Sequence, residues 1–269
     1  MQQLIQQIEQ HVQEAGGTWG IAIEDLNRGE TWRLNGDQPF YAASIIKLPI
    51  MAAVYAAAAR GDFRLSDFLT LKQDDLVGGS GVLQHLTPGI RLPIADYVML
   101  MIIQSDNTAT NMLIDLVGTE EIQKAMKALG MENSTFYNKL MTVPVDTPGR
   151  NMITAADVTK LLSTIARGRF VSWYACEQMI AIMKKQQWRD GLPAFLPDED
   201  EDIIGTQTDW EVANKTGWMT GIRHDAAIFY VGRRTLAVTT LSKDCDDWAA
   251  RVAMAKIGKA IYEYLKKTQ

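Results

Sequence analysis

The spacing of hydrophobic and polar positions changes twice along the chain. Leu4, Ile5, Ile8 and Val12 recur at helical spacing over residues 1–15, and Gly16-Gly17 stops that helix. Residues 18–24 and 31–34 then read as two short strands joined by Asp25-Leu26-Asn27-Arg28-Gly29-Glu30, a hairpin signal. From Ser44 to about Asn151 the pattern is mostly helical. An alanine-rich run, Met51-Ala52-Ala53-Val54-Tyr55-Ala56-Ala57-Ala58-Ala59-Arg60, is closed by Gly61. Residues 94–103 keep helical periodicity, and Met112, Leu113, Leu116 and Val117 resume it. Between these two apolar segments lies Gln104-Ser105-Asp106-Asn107-Thr108-Ala109-Thr110-Asn111, whose polar groups need partners if their neighbours are buried.

Beyond an irregular loop with two prolines at residues 137–154, Thr154-Ala155-Ala156-Asp157 has the form of a capped helix start, and helices continue to roughly Gln187. The last third returns to a strand period. Residues 210–217, 224–232 and 235–241 alternate or run apolar, with Gly232-Arg233-Arg234 a tight turn between two of them. A final helix from Asp246 carries Trp248, Val252, Ala255, Tyr262 and Leu265 on one face. Strands at both ends with helices between them predict an α/β (α+β) chain: one sheet assembled from both termini, with a helical unit inserted. The expected division is residues 1–42 and 205–269 for the α/β subdomain and 43–204 for the all-α subdomain.

Composition narrows the function classes. The 269 residues carry 27 basic against 32 acidic side chains, a net charge of −5 and a pI near 5.3. No basic stripe points to a nucleic acid or an anionic membrane as partner. His11, His85 and His224 are far apart and none has a second His or Cys at ligand spacing, so neither a metal nor another cofactor is expected. Cys176 and Cys245 form no disulfide framework and fit a reducing compartment. The first ten residues have neither a basic start nor an apolar core, and no stretch is expected to reach the ~18 apolar residues of a membrane span. The chain as written therefore reads as cytoplasmic; an exported chain with its leader removed has the same appearance. Oligomeric state is not legible.

Several polar segments are candidates for chemistry. In Ser44-Ile45-Ile46-Lys47 a hydroxyl and an amine stand three residues apart at an expected helix start, on one face. An amine that has lost its proton can activate a serine, and burial among apolar neighbours favours that state. Alone, such a pair is most often a helix cap and a solvated lysine, since short patterns recur by chance. The glycine-rich stretch of residues 75–85 lacks the lysine of a phosphate-binding loop and reads as a structural turn near a site, leading into another helix. The acidic run Pro197-Asp198-Glu199-Asp200-Glu201-Asp202 reads as a solvated turn rather than a metal cage.

Three short motifs stand in chain order: Ser44-x-x-Lys47, Ser105-Asp106-Asn107 and Lys215-Thr216-Gly217. Together they resemble the signature of class A β-lactamases and penicillin-binding proteins, and the resemblance extends over nearly the whole chain. It implies an antiparallel sheet flanked by helices, an all-α domain and a site in the cleft between them. It implies Ser44 as a nucleophile that becomes acylated, Lys47 as its proton acceptor, and Ser105, aided by Lys215, as proton relay to the leaving nitrogen. Asn107 would hold the substrate's amide and position Lys47, and Thr216 with Lys215 would bind its carboxylate. Gly217 completes the third motif, and the backbone N–H groups of Ser44 and Trp218 would hold the oxyanion. The implied partner is a small-molecule β-lactam or related amide or ester.

The chain also departs from that pattern. Class A β-lactamases carry a deacylating Glu on the loop after the second motif; residues 137–154 contain none, and nothing in Asn138-Lys139-Leu140-Met141 supplies a base at the expected point. The sole carboxylate there is Asp146. Slow turnover of an acyl-enzyme is the expectation, since a general base typically contributes about 10²- to 10⁴-fold. Trp218 stands where small residues are common, either narrowing the pocket or packing away from it. Arg223 is a candidate partner for a carboxylate, with a solvated turn residue the favoured expectation. A D,D-peptidase, a D-amino-acid amidase or an esterase is an alternative, and a β-lactam or peptide receptor that acylates once is another.

Overall fold

Described residues of the structure, a computed structural model, are 1–141, 147, 149–197 and 209–267. Helix α1 (Gln2–Ala15) leads into the hairpin β1 (Thr18–Asp25) and β2 (Thr31–Leu34), and a short β3 (Phe40–Tyr41) follows. A 3₁₀ turn (Ala43–Ile46) runs directly into α2 (Lys47–Arg60). A small hairpin of β4 (Phe68–Thr70) and β5 (Arg91–Pro93) precedes α3 (Ile94–Ile103), α4 (Asn107–Val117) and α5 (Thr119–Ala128). Then come β6 (Met152–Ile153), antiparallel to β3, and helices α6 (Ala155–Ala166) and α7 (Trp173–Met183). Strands β7 (Trp210–Met219), β8 (Ile222–Val231) and β9 (Arg234–Lys243) and helix α8 (Asp247–Lys267) complete the chain.

The sheet has the order β2-β1-β9-β8-β7, antiparallel throughout. Side chains alternate between its two faces, as a period of two requires. Ala226, Ile228, Ala237 and Leu241 enter the core shared with the inserted helices. Ala227, Phe229, Leu236 and Val238 enter a second core under α1 and α8. The chain is thus an antiparallel sheet flanked by helices, with a helical region inserted between its hairpin and its meander. Helix α2 lies in the first core, and its alanines allow α4 and α5 to approach. Local capping matches the sequence: Asp106 Oδ1 accepts from Ala109 N at 2.9 Å to open α4, and Thr154 Oγ1 accepts from Asp157 N at 3.2 Å to open α6.

Several expectations are corrected. The glycine-rich segment leads only into a single 3₁₀ turn, Leu83–His85, because its backbone amides are claimed by the Asp106 carboxylate and β5 begins soon after. Trp248 is 72% exposed. Ala255, Tyr262 and Leu265 are buried as expected, and the buried stripe of α8 also takes in Ala250, Met254, Ile257 and Ile261, in register with the sheet's outer face. The segment Ala43–Arg60 is 18 residues long with a mean hydropathy of 1.3, long and apolar enough to cross a membrane, contrary to the sequence reading. Here it is a core helix with 67% of that stretch buried. The acidic run of residues 198–202 and Asp146 lie outside the described residues.

Gly258 of α8 packs against the backbone at Leu192, so that a Cβ there would stand 1.8 Å from the Leu192 carbonyl oxygen. Helix propensity favours Gly258→Ala by up to about 1 kcal/mol, and overpacking against backbone opposes it by about 1–3 kcal/mol. The clash decides the sign: urea unfolding of Gly258→Ala is expected at a lower midpoint with unchanged slope. An equal or higher midpoint would show that the Leu192 segment yields.

Candidate active site

The Ala43–Ile46 turn carries the Ser44 hydroxyl one turn ahead of α2, and Ala43 before it holds a left-handed φ of 43°. Such a conformation is costly for a residue with a Cβ and is held by its surroundings. Ser44 is half-buried and lines a cleft of about 710 Å³. Ser105 and Asn107 from the α3–α4 corner and Thr216 and Trp218 from β7 line the same cleft. Gly217 is buried between them, where an added Cβ would lie 3.3 Å from Ser44 N and 3.1 Å from Ile45 Cγ1. The absence of a side chain lets the edge strand β7 approach the turn that bears Ser44.

Lys47 and Lys215 are fully buried and meet at one hydroxyl. Lys47 Nζ is 3.0 Å from Ser105 Oγ, and Lys215 Nζ is 3.1 Å from the same oxygen. Lys47 also donates to the Ser105 carbonyl at 2.6 Å and to Asn107 Oδ1 at 2.9 Å, and Lys215 donates to the Thr216 carbonyl at 2.7 Å. Ser105 reaches this position in a left-handed conformation, φ 53°, with its carbonyl and hydroxyl both turned to Lys47. Ser44 makes no side-chain hydrogen bond to either amine among the described residues. Catalytic contacts in ligand-free enzymes often tighten only around substrate.

Burial is the main force on both amines. It lowers the Lys47 pKa well below the ordinary lysine value, the nearby Lys215 charge lowers it further, and Asp106 opposes both. Burial brings Lys215 down to about 7, against the pull of Asp225. A neutral Lys47 keeps two N–H donors for the two carbonyls and has a lone pair left for a hydroxyl proton. The arrangement can therefore pass a proton along Lys215, Ser105 and Lys47.

The frame behind these groups includes residues that sequence reasoning left without a role. Asp106 is buried and accepts from Ala109 N, from Val82 N at 2.7 Å and from Leu83 N at 2.8 Å, tying the glycine-rich loop to the α3–α4 corner. Asn107 fastens the same loop through its Nδ2 donating to the Gly78 carbonyl at 3.0 Å. Behind β7, Asp225 accepts from Asn214 Nδ2 at 3.0 Å and from Leu192 N at 2.8 Å. Burial raises the Asp225 carboxyl to about 7. His224 bridges β8 to the Tyr41 carbonyl at 2.9 Å, and burial lowers its pKa to about 4. The polar break after Ile103 was the one sequence signal for the Asp106 clamp; Asp225 and His224 sit in an ordinary strand pattern.

Arg223 is corrected: it lies in β8, 7% exposed, with Nε donating to Asp247 Oδ1 at 3.0 Å. Pairing with Asp247, rather than solvent, holds it. Trp218 is 62% exposed and lines the cleft, so its ring is not packed away. On the loop, Leu140 is held at both backbone groups by Asn111: Leu140 N donates to Oδ1 at 2.8 Å and Nδ2 donates to the Leu140 carbonyl at 2.9 Å. Among the described residues no group of three His, Cys, Asp or Glu could hold a metal ion, and both cysteines are free.

A model of the β-lactamase enzyme family matches residues 3–265. The curated β-lactamase AER-1 of Aeromonas hydrophila is 25% identical over 218 residues, which cover 80% of this chain and 68% of the relative. A solved β-lactamase from Sphaerobacter thermophilus is similar at a TM-score of 0.88 and 33% identity, covering 98% of this chain and 97% of its own. The solved structure of PBP-A is similar at 0.85 and 28%, covering 99% and 97%, and a mutant of PBP-A has been solved as an acyl-enzyme complex with penicillin G.

Asp106→Asn leaves one oxygen for three backbone donors and sets an N–H₂ against at least one of them. Leaving buried donors unpaired costs about 1–3 kcal/mol, so thermal unfolding of the variant is expected at a lower temperature. Wild-type thermal stability in this variant would show that the carboxylate does not clamp the loop.

Proposed function

The chain belongs to the β-lactamase enzyme family and is a serine hydrolase of that type, and from that premise we propose that Ser44 is acylated by β-lactams or related amides and esters and is released slowly. The observation that carries this reading is the Ser105 hydroxyl set between two desolvated amines at the wall of the Ser44 cleft. In the proposed reaction the Ser44 oxygen bonds to the substrate carbonyl carbon while Lys47 takes its proton. The backbone N–H groups of Ser44 and Trp218 receive the developing oxyanion; one such donor is typically worth about 2.7–4 kcal/mol. The C–N bond then breaks, and the proton passes from Lys47 through Ser105 to the leaving nitrogen. Lys215 and Thr216 hold the substrate carboxylate, and Asn107 holds its side-chain amide and positions Lys47.

Slow release rests on the loop of residues 137–154, which has no Glu, and on its segment 138–141, which offers no base and whose apolar Leu140 is held by Asn111. The same feature supports a second reading, a D,D-peptidase or D-amino-acid amidase whose natural acyl group differs from a β-lactam. The similarity to PBP-A supports it as well. An esterase and a receptor that acylates once are the remaining readings.

Intact-mass measurement with a penicillin, followed in parallel with a chromogenic cephalosporin, tests the proposal. A stable adduct on Ser44 with one equivalent of product is expected, and Ser44→Ala should abolish both. Rapid turnover without an adduct would overturn slow release. Ester hydrolysis with no β-lactam adduct would favour the esterase.

The two lysines also set a pH profile for acylation. Protonation of Lys47 removes the base, so the second-order rate is expected to fall on acidification. Lys215, with a pKa near 7, loses the charge that holds a carboxylate as pH rises, so the rate falls again on the alkaline side. An ester without a carboxylate should lack the alkaline fall. Equal alkaline limbs for both substrates would remove Lys215 from carboxylate binding.

A further inference from the structure

A second cavity, of about 330 Å³, lies between the β1–β2 hairpin and α6 and shares no lining residue with the Ser44 cleft. Its charge is lopsided. Arg33, Lys160, Arg167 and Arg169 line it against a single carboxylate, Glu24, in a chain whose net charge is −5. Arg167 is committed, since its Nη1 pairs with Glu24 Oε1 at 2.7 Å. The Lys160 amine leans toward Gly130. Arg33 and Arg169 are the lining guanidinium groups outside that pair. Arg33 is 3.6 Å from Asp37 with half its side chain in solvent, and Arg169 is exposed with no ion pair among the described residues.

The interior holds an independent sign of a ligand. Ser163 lines the cavity, is 3% exposed, and its hydroxyl has no hydrogen-bond partner among the described residues. Buried hydroxyls are nearly always satisfied, and an orphan one calls for a missing partner. Its neighbour Thr159 is engaged, bonding to the Ala22 carbonyl at 3.1 Å and to Thr239 Oγ1 at 2.8 Å. Ala22, Ile23 and Ala156 add apolar wall. The volume is at the lower end of small-molecule sites and exceeds what an inorganic anion fills.

We propose that this cavity binds a small organic oxyanion, phosphate or carboxylate, whose charged end sits on Arg33 and Arg169 and whose hydroxyl-bearing body reaches Ser163. Guanidinium groups suit both oxyanions through paired N–H donors.

Titration of the ¹⁵N-labelled full chain with glycerol 3-phosphate, glycerate, inorganic phosphate and glycerol tests it. Saturable amide shifts at Thr31, Ser163 and Arg169 are expected with at least one organic anion and none with glycerol; whichever binds tighter assigns the charged group. The Arg33→Ala/Arg169→Ala double variant is expected to weaken binding by about tenfold or more with an unchanged melting temperature. Ser163→Ala should weaken the organic anion and leave inorganic phosphate unaffected. No shift from either organic anion at millimolar concentration, shifts confined to the Ser44 cleft, or full binding by the double variant would each overturn the proposal. Acylation of Ser44 by penicillin should be unchanged in the double variant, so this test and that of the hydrolase reading fail separately.

Discussion

Two amines that both lie within hydrogen-bonding distance of the Ser105 hydroxyl are no more than about 6 Å apart. If both were charged, their repulsion at an effective dielectric of 20 would be about 3 kcal/mol, before any cost of taking them out of water. At most one proton charge is therefore easily held at this place. Asp225 supports Lys215, whereas at Lys47 the help of Asp106 is met by the added opposition of Lys215. The charge belongs on Lys215 and the free amine on Lys47. That division is the condition for a lysine to act as a base beside a serine.

The rest of the molecule keeps those amines dry and in place. Lys47 is the first residue of a core helix whose apolar and alanine-rich faces are covered by the inserted helices. Lys215 is in β7, an edge strand paired among the described residues with β8 alone, and that strand comes close to the Ser44 turn because Gly217 has no side chain. The left-handed Ser105 is held by contacts to Lys47, and Asp106 next to it spans three backbone donors. Strain at the corner and the clamp beside it are parts of one device. A looser corner would let water reach the amines and return both to their ordinary ionisation.

The sheet separates two environments that serve different ends. Its inner face completes the core that buries the lysines, while its outer face packs on α1 and α8, and Arg223 of β8 and Arg251 of α8 reach the cleft. The hairpin at its far edge faces α6 across the basic cavity. One scaffold thereby presents a desolvated pair of amines in one place and solvated guanidinium groups in another. The first suits proton transfer and the second suits recognition of a formed anion.

Periodicity in the sequence sufficed for the strands of the meander, the opening hairpin and the helices at 94–103 and after 154, because each has an apolar face at its own spacing. It failed for Trp248, which has the spacing of a core residue but is 72% exposed. It failed for the 3₁₀ turn after Gly81, where a distant carboxylate claims the amides. The three motifs could be read because their residue types are specific in combination and in order. Arg223 could not be placed, because the aspartates that remove it from solvent, Asp190 and Asp247, come from other segments. Composition and order along the chain thus determined which groups were present and the elements that carry them. Which of those groups share a hydroxyl, lose their water or face an unfilled cavity was decided by packing, since burial and charge are properties of neighbours in space.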